Sequence, residues 1–117
     1  MVGSFLVGKL LVLASGVVSV PKVAPQAVSA YVVLSAGAQS RVFRVRGSAQ
    51  GPTVDELPAA TTLDIKRFQL ELQEDLQPTL DRLRAEGHAA HIELSRPELV
   101  TGFVRKHLKE TEGLDVE

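Results

Sequence analysis

Up to residue 73 the apolar positions recur mostly every second residue, the period of a half-buried strand. From residue 75 onward spacings of three and four appear, the period of a helix. The first apolar run is Phe5 to Val20. Val7, Lys9, Leu11, Leu13 and Val17 alternate there with Leu6, Leu10, Val12, Ala14, Val18 and Val20. That predicts one long strand with bends or bulges at Gly8 and Gly16. A membrane span needs about 20 apolar residues, and Lys9, Ser15 and Ser19 interrupt this run. A signal peptide places its basic residues before the apolar core, whereas Lys9 lies inside it. Pro21 to Pro25 breaks the run and predicts a loop.

The densest β-branched and aromatic stretch is Ser29 to Gly47, which predicts a hairpin. Val28, Ala30, Val32 and Leu34 share one face of its first strand, and Ser29, Tyr31, Val33 and Ser35 the other. In its second strand Phe43 and Val45 face one way, and Val42, Arg44 and Arg46 the opposite way. Ala36-Gly37-Ala38-Gln39-Ser40 is the connector.

Beyond Gly47 the spacing Thr53-Val54-Asp55-Glu56 is that of a capping box, and Pro58 ends any helix at once, so a short helical plug is expected. Thr61 to Gln73 predicts a further strand, with a helix as the poorer alternative because the apolar pairs two apart fit a strand better. Leu63 and Ile65 are odd while Phe68, Leu70 and Leu72 are even, and a bulge at Lys66-Arg67 restores a single buried face. Leu76, Leu80 and Leu83 then predict a helix over 76–86, with Pro78 in its first turn and Gly87 as its stop. His88 to Leu94 alternates as a last short strand. Ser95-Arg96-Pro97-Glu98 is a helix start, and Leu99, Val100, Phe103, Val104 and Leu108 make one stripe of a C-terminal helix over 96–111. Residues 112–117 are expected to fray.

The expected fold is therefore a single β-rich α+β domain over residues 1–117. Its core over 5–94 is a five-stranded barrel, with a helix between the last two strands and a C-terminal helix. A chain of 117 residues buries a core without metal or disulfide help. It contains no cysteine, which excludes disulfides and thiolate chemistry and fits a cytoplasmic protein. Net charge is −1, which disfavours attraction of the whole protein to nucleic acid. The charge is uneven, however. Residues 1–54 hold five basic and no acidic residues, whereas 55–117 hold eight basic and fourteen acidic ones. That asymmetry points to one basic surface.

Candidate chemistry is sparse. His88, His91, Glu93 and His107 resemble a metal cluster by composition only, because residues 88 and 91 point to opposite faces of a strand and no HExxH is present. No GxSxG, P-loop or GxGxxG occurs, so neither an enzyme nor a cofactor is expected. What remains is one phenol among cations: Tyr31 with Arg41, Arg44, Arg46, Lys66 and Arg67. Single-stranded nucleic acid binds such sheet faces, since bases stack on flat rings while cations follow the phosphates.

The element order resembles the oligonucleotide-binding (OB) fold. Ala30-Tyr31-Val32-Val33-Leu34, Arg41-Val42-Phe43-Arg44-Val45-Arg46 and Thr61-Thr62-Leu63-Asp64-Ile65 resemble the small single-stranded DNA-binding proteins of phages and plasmids. The resemblance covers roughly residues 5 to 73 and implies a homodimer on single-stranded nucleic acid, namely DNA. No membrane partner is expected. The alternative is a small adaptor, regulatory or structural protein acting by protein contact. In that reading the Leu99 to Leu108 stripe and the apolar first strand form the partner surface.

Overall fold

The computed structural model describes residues 8–94 and 97–117. Phe5, Leu6 and Val7 of the expected first strand, and Ser95 and Arg96 of the expected helix start, lie outside them. Strands β1 (Lys9–Ser19), β2 (Ala27–Ala36), β3 (Gln39–Ser48) and β4 (Thr53–Glu56) come first. Helix α1 (Ile65–Ala85), strand β5 (His91–Glu93) and helix α2 (Pro97–Glu112) follow. The result is an α+β fold with one five-stranded antiparallel sheet, ordered β4-β3-β2-β1-β5.

The short strands β4 and β5 stand at opposite edges, so the sheet is open and not closed into the expected barrel. The helices explain why. α1 lays Phe68, Leu72, Leu76, Leu80 and Leu83 on one face, against Ala14, Val18, Ala27 and Tyr31. α2 lays Val100, Val104 and Leu108 on the other, against Val17, Val28, Val32, Phe43 and Val45. Both faces are largely covered over β1 and β2, and closure is not needed to hide them. The α2 stripe, offered by the sequence as a partner surface, is thus core.

The β2–β3 hairpin follows the alternation, with Val32 opposite Phe43 and Tyr31 opposite Arg44. Its loop is only Gly37-Ala38, tighter than the expected connector, and Gly37 takes the left-handed φ of 65° that such a turn requires. In β1 the irregularity sits at Leu13, between Val12 opposite Val32 and Ala14 opposite Tyr31. The extra residue switches which side chains face α1. Gly16 then lies under α1, where an added Cβ would be 3.0 Å from the Cδ1 atoms of Leu72 and Leu76.

Three expected elements are different. Thr53–Glu56 is the edge strand β4, pairing Val54 with Val45 and Asp55 with Arg44, not a helical plug. The expected strand over 61–73 and helix over 76–86 are a single helix, α1. Asp64 caps it by accepting a hydrogen bond from the Arg67 amide at 3.2 Å. Pro78 is inside the helix and exposed. Its missing N–H and ring clash cost about 3 kcal/mol, a cost offset by five buried side chains on one stripe. α1 ends as a Schellman motif, with the His88 amide donating to Leu83 and the Gly87 amide to Arg84, and Gly87 at φ 92°. The chain end, expected to fray, is tied down instead. The Glu117 amide donates to the Gly8 carbonyl, the Leu10 amide donates to the Glu117 carbonyl, and Val116 is buried.

Candidate functional site

Tyr31 is set on β2 facing α1, and the helix places Phe68 directly on its ring. The centroids are 4.1 Å apart and the planes 9° apart. Tyr31 is 2% exposed. Its hydroxyl donates to Glu71 Oε2 at 2.6 Å, and the other carboxylate oxygen of Glu71 accepts from Arg67 Nε at 3.0 Å. Burial, and then the bond to Glu71, push the phenol up to about 12, while Arg44 beside it pulls the other way. The phenol and the Arg67 guanidinium hold the Glu71 carboxyl below its usual range. The ring expected to stack on bases is therefore already stacked within the protein.

The expected cations are divided. Arg41 faces α2, away from Tyr31. It grips Glu56 on β4 through Nε and Nη2, both at 2.9 Å, and Glu112 on α2 through Nη1 at 3.1 Å and Nη2 at 2.8 Å. Its guanidinium also lies 5.2 Å from the Phe43 ring centre. These carboxylates hold its proton tightly, and it holds theirs below the usual range. Arg41 thus joins β3, β4 and α2. Lys66 is exposed in the first turn of α1.

Arg44, Arg46 and Arg67 do come together. Arg44 and Arg46 lie opposite Tyr31 and Ser29, on the sheet face that carries α1. That helix lies over β1, β2 and β5, and it leaves this side of β3 as the floor of a groove. Two hollows follow one another along the seam. One of about 350 Å³ is lined by Tyr31, Arg44, Thr61, Thr62, Arg67 and Glu71. The other, of about 590 Å³, is lined by Arg46, Ser48, Gln50, Thr53, Asp75 and Arg82. Asp75 accepts from the Ser29 hydroxyl at 3.1 Å, and Arg82 is 3.5 Å from Glu86. Neither Arg44 nor Arg46 forms an ion pair among the described residues.

Sequence reasoning missed Thr61, Thr62, Glu71, Asp75 and Arg82. The signal that finds them is Asp64, an N-cap residue ahead of the four-residue spacing Phe68, Leu72, Leu76 and Leu80. The histidines form no centre. His91 is 3.3 Å from Glu93, and His107 sits edge-on to Phe43 on α2. No group of three or more metal-ligating side chains occurs among the described residues. No helix among them is long and apolar enough to cross a membrane. No family model, curated protein or solved structure matches the chain.

Proposed function

We propose that this protein is a non-enzymatic binding module that holds single-stranded nucleic acid along the seam between α1 and β3. One observation carries the reading. Arg44 and Arg46, two residues apart on one strand face, floor an open groove without an ion pair among the described residues. Unpaired guanidinium groups in a groove favour phosphate oxygens. With Tyr31 covered by Phe68, contact is to the backbone of the strand, so binding is modest and tolerant of sequence. The test is a labelled mixed-sequence oligonucleotide titrated at several salt concentrations. Two to four phosphate contacts give a slope of log K on log salt of about −1.4 to −2.8. Absence of binding at low salt rejects the reading.

A protein partner is the second reading, and the β1 edge favours it. β5 covers only Val17 to Ser19, and the chain end meets β1 at Gly8 and Leu10. Between them no described strand pairs with the outer edge of β1, and Leu11 and Leu94 are exposed. Such an edge accepts an extended peptide as an added strand.

A further inference from the structure

We propose that the hollow beside Tyr31 is a discrete binding site for one phosphate group, contacted by Arg44. The site deepens the reading above and rests on it only for the source of the phosphate.

The starting point is an orphan. Arg44 Nε is buried, and its N–H meets no hydrogen-bond acceptor. Buried donors are nearly always paired, and the same residue lines the hollow, so an acceptor bound there meets unused donor capacity on Arg44. The nearby carboxylate does not serve. Glu71 accepts from Tyr31 and from Arg67, and Arg44 acts on it through charge without bonding it through Nε. Asp55 stands opposite Arg44 in the ladder but forms no ion pair with it. Arg67 is bonded to Glu71, whereas Arg44 forms no ion pair among the described residues.

The surrounding donors fit a tetrahedral oxyanion better than a planar one. Thr61 and Thr62 line the same hollow, and neither hydroxyl is hydrogen-bonded among the described residues. They approach from the segment that enters α1, whereas Arg44 approaches from β3. A carboxylate is satisfied by one guanidinium fork, but a phosphate has oxygens to offer on several sides. The hollow of about 350 Å³ also leaves room for the group that carries the phosphate. That group is either the strand itself or a free phosphorylated small molecule.

The experiment uses the full chain and inorganic phosphate, with sodium chloride at matched ionic strength as control. Amide and arginine Nε–H signals are followed by two-dimensional NMR. Saturable shifts at Arg44 Nε–H, Thr61, Thr62 and Arg67 are expected with phosphate and not with chloride. Arg44→Gln is expected to weaken binding about tenfold or more. Thr62→Val, at an exposed position that spares the fold, is expected to weaken it less, and Arg41→Gln not at all. Equal shifts with chloride, or an affinity indifferent to both Arg44→Gln and Thr62→Val, overturn the site. An oligonucleotide that moves the same signals identifies the strand as the source. Phosphate binding without oligonucleotide binding keeps the site, assigns it to a free phosphorylated molecule, and rejects the nucleic-acid reading.

Discussion

Tyr31 and Phe68 lie ring on ring, 4.1 Å between centroids and 9° between planes, and so couple the middle of the sheet to the first half of α1. Phe68→Ala removes one ring of this pair and is expected to cost about 3–5 kcal/mol. Urea unfolding checks this, through a lower midpoint at unchanged slope. Tyr31→Phe keeps the stack and loses only the hydroxyl bond to Glu71, for a cost of about 1 kcal/mol.

The chain has one tyrosine and no tryptophan, so its ultraviolet titration reports Tyr31 alone. In the folded protein the phenol ionises at about 12, above its ordinary value of 10.0. The folded pKa is raised, so the stabilisation is complete below pH 10.0 and is lost as the pH climbs to about 12. Titration in the native state is expected near the upper value and in urea near the lower one. Coincident curves contradict the burial of the hydroxyl.

On the acid side, Glu56, Glu71 and Glu112 have carboxyls held below the usual carboxylate range by their hydrogen-bond partners. Their contribution is present above that usual range and disappears as the pH falls through their lowered one. Arg41→Met removes the partner of two of them. It is expected to flatten the acid limb and to cost about 1 kcal/mol, since these pairs are partly solvated.

Gly16→Ala places a methyl 3.0 Å from the ends of Leu72 and Leu76. Overpacking of this kind costs about 1–3 kcal/mol. Thermal unfolding checks it, and a partner mutation Leu72→Val should recover part of the loss.

Arg44→Glu with Arg46→Glu reverses both charges on the groove floor and replaces no residue of the ring stack or of the Arg41 clamp. The double variant is expected to fold and to lose oligonucleotide binding. Unchanged affinity in a folded double variant removes β3 from the interface.

The β2–β3 hairpin was legible because its side chains alternate without a break and its loop contains Gly37. Alternation also put Tyr31, Arg44 and Arg46 on one face. α1 is masked in the sequence because Leu70 is apolar yet 62% exposed, so Phe68, Leu70 and Leu72 imitate a strand. Asp64 and the stripe continuing to Leu83 were the better guide. Once that helix is lost, so is the cover over Tyr31, and the phenol looks free. Arg41 belongs to the opposite face by the same alternation, but only α2 brings Glu112 within its reach. The bulge at Leu13 leaves no mark in an apolar run where either register buries hydrophobic residues.

The place of β5 has a consequence for the order of folding. β1 to β4 form a meander in which each strand pairs with its neighbour in sequence, and such contacts form early. β5 pairs three residues with the far end of β1, across a loop that includes all of β2, β3, β4 and α1. Closing that loop comes late and rewards the chain with little backbone pairing. The edge at His91–Glu93 is thus the seam that opens first, and its amides should exchange with solvent long before those of Tyr31 and Val32 at the middle of the sheet.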